Sequence, residues 1–277
     1  MRSIAHVSDL HFGRELPAVA AGLVADLQAV EPSLVVVSGD FTQRARRAQF
    51  RAARDYLARL PQPQLLVPGN HDVPLFDVAR RFLAPLARYH AFIHAETDPT
   101  YRDDELLVVG LNTARSFTWK NGRLSVDQIQ ALAGRLRAGG DRIKIVVTHH
   151  PFLPPPGEDT GIALVGRAAH AIEVLGAGAV DLLLAGHLHH GYVGDIRTHY
   201  PTAQRAMVAV QAGTAISCRL RHGELNAYNL IRIDGGELTI EVREWNGVGF
   251  QPIRRTVYDR DAHGWHSRTG RDPGTLK

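Results

Sequence analysis

The chain is poor in the residues that would send it toward several common classes. A single cysteine in 277 residues, Cys218, leaves no partner for an intramolecular disulfide and excludes a thiolate metal cluster. That cysteine is expected to be a packing residue. Lysine occurs at Lys120, Lys144 and Lys277 alone, so the formal net charge of +4 rests almost wholly on arginine. No run approaches the roughly 20 apolar residues that cross a bilayer. The opening MRSIAHVSDLHFG meets Asp9 before an apolar leader core can form. These shortages predict a soluble, cytoplasmic protein with no membrane role. Nucleic acid is disfavoured as a partner, because no basic patch interleaved with aromatics stands out. The densest arginine run, from Arg44, reads as an amphipathic helix with Phe50, Ala53, Leu57 and Leu60 inward and most arginines in solvent.

What the chain has instead is one local design used five times. Short runs rich in Val, Ile and Leu, each the length of a buried strand, precede Asp9 (SIAHVS), Asp40 (LVVVSG), Asn70 (QLLVPG), His149 (KIVVT) and His187 (DLLLAG). Segments with helical periodicity lie between them, at about 17–30, 45–60, 74–88, 125–138 and 167–176. Strand alternating with helix predicts an α/β fold with largely parallel pairing. After His189 the pattern changes to GYVGDIRT, AMVAVQAG, NAYNLIRID and ELTIEVREW. That succession predicts mainly antiparallel strands, read as a second sheet against the first. Proline keeps Pro151–Gly161 out of regular structure. Residues 1–260 are read as one domain, and 261–277 as a polar, loosely held tail.

Each of the five runs ends on a side chain able to bind a metal. Open α/β sheets place ligands at the carboxyl ends of their strands, so parallel pairing would gather Asp9, His11, Asp40, Asn70, His149, His187 and His189 at one edge. Seven oxygen and nitrogen donors are too many for one catalytic ion and suit two ions sharing a carboxylate. Mixed imidazole and carboxylate favours Mn, Fe, Zn or Co. Two such ions about 3.5–4 Å apart can hold both the attacking and the leaving oxygen of an in-line displacement. Two dications set against Asp9, Asp40, a bridging hydroxide and a singly charged diester sum to neutrality. A phosphodiester therefore suits the charge. The spacing of His187 and His189 puts both on one face of an extended segment, with His190 on the other.

These stretches together, DLH at Asp9–His11, GD at Gly39–Asp40, GNHD at Gly69–Asp72, HHP at His149–Pro151 and GHLH at Gly186–His189, resemble the motif set of the calcineurin-like metallophosphoesterases. The likeness runs from residue 4 to about 190. Within the superfamily it is most similar to bacterial class III cyclic-nucleotide phosphodiesterases and glycerophosphodiesterases. The resemblance implies two packed β-sheets flanked by helices, in four α/β/β/α layers. It implies a first ion on Asp9, His11 and His189, a second on Asn70, His149 and His187, and Asp40 between them. It implies a metal-bound hydroxide as nucleophile, and His71 facing the phosphate as a charge stabiliser or acid, with Asp72 orienting its ring.

Substrate contacts are expected from Asn70 and His71, and are weighed for His150, Arg115 and Arg219. The last two lie in the stretches Leu111–Ser125 and Ala212–Asn229, which also carry Trp119 and Thr214. The expected activity is hydrolysis of small soluble phosphodiesters. A phosphomonoesterase on the same centre is the alternative, followed by a nuclease and a non-catalytic scaffold. A homo-oligomer is an admissible assembly.

Overall fold

The computed structural model describes residues 1–157, 161–162, 164–221 and 223–268. Among them the apolar runs become strands of two stacked sheets. In the first sheet β1 (Arg2–Val7), β2 (Leu34–Val37) and β3 (Gln64–Leu66) pair in parallel. In the second, β5 (Leu106–Gly110), β6 (Ile143–Val147), β7 (Leu182–Ala185) and β9 (Val208–Gln211) are parallel. Its edge strands β4 (Thr100–Arg102) and β8 (Tyr192–Asp195) run antiparallel. The order in this sheet is β4-β5-β6-β7-β9-β8.

The chain after β9 departs from the expectation of a separate sheet. β10 (Ala227–Asp234), β11 (Glu237–Trp245), β12 (Phe250–Asp261) and β13 (Gly264–Ser267) are antiparallel, but β10 pairs with β1. They extend the first sheet to β13-β12-β11-β10-β1-β2-β3. The reason is burial: Ile231 and Ile240 continue the inward row that starts at Ile4, so the C-terminal hairpins cover apolar area already present. Asp261–Ser267 is likewise not loose. β13 pairs with β12, and Trp265, 1% exposed, donates its indole N–H to Asp181 at 3.0 Å. Residues 269–277 of the expected tail lie outside the described residues.

Strand alternation explains the layers. Leu34 and Val36 of β2 point between the sheets, to Val108, Ile145 and Leu184, while Val35 and Val37 point outward. The outward row packs on α1 (Pro17–Val30) and α2 (Arg47–Leu57) through Leu23, Leu27 and Phe50. Leu107, Val146 and Leu183 of the other sheet pack on α5 (Val126–Ala138) and α6 (Ala168–Ala177) through Leu136 and Leu175. Strands buried on both faces read as unbroken apolar runs, which is why they were visible. Each fully buried Leu, Ile or Val contributes roughly 1.5–3 kcal/mol.

Helix ends follow local chemistry. Pro17 opens α1, and Ser125 and Gln128 cap α5 reciprocally, at 3.0 and 2.9 Å. The segment expected as one helix over 74–88 is two short helices, α3 (Val78–Leu83) and α4 (Ala87–Phe92). Pro85 lies between them and cannot donate its share of the helical ladder. No helix among the described residues is long and apolar enough to cross a membrane.

Candidate metal centre

β1, β2 and β3 deliver Asp9 and His11, Asp40, and Asn70 and His71 at their carboxyl ends. β6 and β7 deliver His149, His187 and His189 from the facing sheet. Five of these residues take left-handed backbone to do so: Asp9 (φ 55°), His11 (48°), Asp40 (55°), His187 (75°) and His189 (58°). Such φ values are uncommon outside glycine, and Asp and His tolerate them best. The turns are locked by backbone bonds from Asp9 N to Gly39 O (3.1 Å) and His11 N to Asp40 O (2.9 Å). Two glycines are needed for space rather than for φ. A Cβ on Gly186 would stand 2.6 Å from Asp9 Oδ2, and one on Gly69 would stand 2.8 Å from Asp40 Cγ.

The donor atoms converge. Those of Asp9, His11 and His189 lie within 4.8 Å of one another, as do those of Asp9, Asp40 and His149. Asp9 Oδ1 is 3.3 Å from His11 Nε2 and 3.6 Å from His189 Nε2. Asp40 faces both halves, Oδ2 at 3.6 Å from His11 Nε2 and Oδ1 at 3.4 Å from His149 Nε2. Asn70 Oδ1 meets His149 Nε2 at 3.1 Å and His187 Nδ1 at 3.0 Å, while its amide donates to Trp119 O at 3.2 Å. That donation fixes the amide so that its oxygen points into the cluster.

The ring tautomers can be read from their outer partners. Thr214 donates its hydroxyl to Arg219 O (2.8 Å), so it must accept from His189 Nδ1 (2.6 Å), which leaves the Nε2 lone pair facing Asp9. His149 Nδ1 donates to Ser38 O at 2.8 Å, leaving Nε2 facing Asp40 and Asn70. A donor set oriented in this way is what a cation requires. The fit shows further in what is unpartnered: among the described residues, Asp9 Oδ1 and both ring nitrogens of His11 are buried without a hydrogen bond. Buried polar atoms rarely go unsatisfied. Cations between these atoms would satisfy them.

Electrostatics agree. Burial alone would raise Asp9, but His189, His11 and His149 outweigh it and hold the carboxyl far below its usual range. Asp40 is held down likewise, burial again being outweighed, here by His149 and His71. His149 is pulled up to about 9: burial opposes the shift, and Asp40 overcomes it. Burial pushes His187 down to about 3 and His189 to about 4, keeping both rings neutral and able to ligate.

Other expected site residues are placed differently. His71 stands at the edge of the cluster, its backbone N–H on Asp40 Oδ1 (2.8 Å), and burial lowers its pKa. Asp72 does not orient the His71 ring. Its carboxylate accepts from Gly69 N, Thr42 N, Phe41 N and Thr42 Oγ1 at 2.9–3.2 Å and so holds the turn. Burial and Asp40 push that carboxyl up to about 7. The ring is oriented instead by the carbonyl of Gln43, 2.8 Å from Nδ1, a backbone group that no side-chain pattern could reveal.

His150 is fully buried, with Nδ1 on Thr113 Oγ1 (2.7 Å) and Nε2 on Lys120 O (2.9 Å). Although its ring nitrogens lie near those of His149 and His187, both are occupied by Thr113 and Lys120, so the ring props the neighbouring loop. Arg115 is turned away: it is tied to Asn112 O, Ala114 O and Gln128 Oε1, because Gln128 caps α5 beside it. Arg219 does line the cleft, and holds Gln43 Oε1 at 3.2 Å. His190 pairs with Glu224 and edges the same cleft. Arg44 is not solvated as expected; its Nη1 lies 3.1 Å from His71 Nδ1. Cys218 is exposed rather than packed.

Above the donors opens a cavity of about 430 Å³ rimmed by Lys120, Arg219 and Arg221. A two-sheet α/β sandwich with oriented carboxylate and imidazole donors under a cationic cleft has the layout of the metallophosphoesterase class. Residues 2–191 match the calcineurin-like phosphoesterase family, and the chain belongs to it. It is 31% identical over 166 residues to the glycerophosphodiester phosphodiesterase GpdQ of Enterobacter lignolyticus, a match covering 54% of this chain and 57% of that protein. It is 24% identical over 200 residues to a probable cyclic nucleotide phosphodiesterase of Synechococcus, covering 69% and 74%. The fold is shared with a purple acid phosphatase from yellow lupin (TM-score 0.70, 15% identity, 94% of this chain and 54% of that one). It is shared also with PhoD (TM-score 0.71, 10% identity, 96% and 71%).

Proposed function

We propose that the protein hydrolyses small soluble phosphodiesters, of the cyclic-nucleotide or glycerophosphodiester type, at two divalent transition-metal ions. Asp9, His11 and His189 would hold one ion and Asn70, His149 and His187 the other, with Asp40 shared. When bound, the ions would supply Lewis acidity and acidify a water for attack on phosphorus. The protein's own groups do the rest. Arg219, Arg221 and Lys120 attract the anion and orient its oxygens. His71 lines the cleft with Nδ1–H directed at Gln43 O, and in its doubly protonated form can pass the Nε2 proton to the leaving oxygen. Gln43 O can accept from that ring in either protonation state, and it accepts from Arg44 Nη1 at 2.9 Å as well.

The observation that carries the reading is the donor set: Asp9 and Asp40 are its two carboxylates, and the neutral Asn70 completes it between His149 and His187. Few anionic ligands leave the ions electrophilic toward an anionic ester. The cationic rim also suits a dianionic monoester, which keeps a phosphomonoesterase as the second reading.

One substrate panel decides between them. Bis(p-nitrophenyl) phosphate should be hydrolysed faster than p-nitrophenyl phosphate, across Mn, Fe, Co and Zn; a consistent preference for the monoester overturns the diesterase reading. Asp40→Ala should lose activity together with metal. His71→Ala should lower turnover by about 10²–10⁴-fold with metal content kept, and substantial metal loss would refute its role as acid.

A further inference from the structure

Beside the main cleft lies a smaller cavity of about 220 Å³ that shares Asn70, His71, Lys120 and Arg219 with it. His71 stands on the boundary. On its far side Val73, Leu75 and Trp119 join the walls, beside Gln43, Arg44 and Arg81. We propose that this cavity is the leaving-group subsite, and that Trp119 makes it selective for a planar aromatic substituent, an aryl ring or nucleobase, on the departing alcohol. The proposal rests on reading the centre as a phosphoesterase with His71 as its acid. A departing oxygen must lie next to the group that protonates it, so its organic part extends past His71 into this space.

The indole is presented and held. Trp119 is 67% exposed, whereas Trp265 is 1% exposed. Its loop is clamped by Arg81, a nearly buried arginine (4% exposed) that donates to Ser116 O at 2.7 Å, Pro74 O at 2.8 Å and Thr118 O at 2.7 Å. The same guanidinium sits 5.8 Å from the indole centroid. With each nitrogen of Arg81 engaged on a carbonyl, it serves as a strut for the loop. A ring fixed in advance loses little freedom when another ring stacks on it. A glycerol or ethanolamine group offers no face to stack. The subsite therefore favours nucleotide-like or aryl esters over glycerophosphodiesters.

Trp119 touches the donors through its backbone carbonyl, which accepts from Asn70, so side-chain replacement keeps that bond. The test reads binding first. On the protein as purified, isothermal titration should show phenyl phosphate bound roughly tenfold or more tighter than methyl phosphate. The preference should vanish in Trp119→Ala and persist in Trp119→Phe. A preference absent from the wild type, or unchanged in Trp119→Ala, overturns the proposal.

Kinetics then compares kcat/KM for methyl p-nitrophenyl phosphate and glycerophosphoethanolamine. The variant-to-wild-type ratio within each substrate cancels intrinsic leaving-group reactivity. A fall confined to the aryl ester supports the subsite. An equal fall on both means that Trp119 acts through Asn70, and overturns it. A wild type that hydrolyses neither diester, yet keeps the phenyl preference in binding, overturns the diesterase reading while supporting the subsite.

Discussion

Replacing Gly186 with alanine adds one methyl group and removes no donor, yet it should disable the centre. Gly186 does not have the positive φ that strains an L-residue, so its backbone accepts alanine. Space is the obstacle. The new Cβ would stand 2.6 Å from Asp9 Oδ2 and 2.8 Å from Ser8 Cβ, with Ser8 Oγ closer still. Ordinary contact begins at 3.4 Å, so the Asp9 carboxylate must retreat by about 0.8 Å, and the Ser8 hydroxyl that donates to it at 2.6 Å must move with it. A misplacement of about 1 Å in a reacting constellation costs on the order of 100-fold. Overpacking of this kind also costs about 1–3 kcal/mol of stability.

The control is Gly176→Ala on α6, where a Cβ meets nothing within 4 Å. There alanine should stabilise the helix by up to about 1 kcal/mol. Thermal melting, metal content by mass spectrometry and aryl-diester turnover are measured on both variants and on Ser8→Ala/Gly186→Ala, which removes the atom nearest the added methyl. The double variant should recover part of the loss. A folded Gly186→Ala protein with wild-type metal content and turnover would refute the close packing of Asp9 against the β7 turn.

Two further outcomes follow from the outer partners and the charges. Thr214→Val removes the hydroxyl that accepts from His189 Nδ1 and should weaken metal binding about 10–100-fold in chelator competition; unchanged affinity would mean that the ring is oriented by something else. His149, raised from 6.5 to about 9, carries a proton at neutral pH in the metal-free protein, so an ion must displace it. Metal uptake should release close to one proton per chain near pH 7, and affinity should rise with pH until about 9. The folded value lies above the unfolded one, so this charge stabilises the metal-free protein fully below pH 6.5 and ceases to as pH rises through about 9. Calorimetry in buffers of different ionisation heat measures the release, and an absence of proton release refutes the assignment.

The sequence displays the strands and the donors after them because burial on both faces writes an unbroken apolar run, and because Asp, Asn and His stand out at its end. Sheet membership is less visible. Nothing in KIVVT or DLLLAG distinguishes a fourth and fifth strand of one sheet from two strands of another. The partners that orient the donors are hidden for a different reason. Ser38 O, Gln43 O and Trp119 O act through the backbone, which carries no residue signature. Arg81 sits in VARRFL, where two adjacent arginines look alike; packing alone separates buried Arg81 from Arg80, which pairs with Asp77 at the surface. Asp72 misleads because its place next to His71 in sequence suggests contact, while its carboxylate turns back to Thr42 and Gly69.

The split between two sheets is itself a condition of the site. Neighbouring strands lie about 4.8 Å apart, so five strand ends in one parallel row would spread their donors over roughly 19 Å. Two ions about 3.5–4 Å apart cannot be reached by all of such a row. Stacking folds the row in two: the ends of β1, β2 and β3 face those of β6 and β7 across a gap of about 10 Å. The left-handed turns at Asp9, Asp40, His187 and His189 then direct side chains into that gap instead of onward along the strands. Within β1-β2-β3 the middle strand is β2. Asp40 follows three residues past its end, and its two oxygens reach His11 on one side and His149 on the other. If two ions are held as proposed, a carboxylate placed after the middle strand is the one best placed to be shared between them.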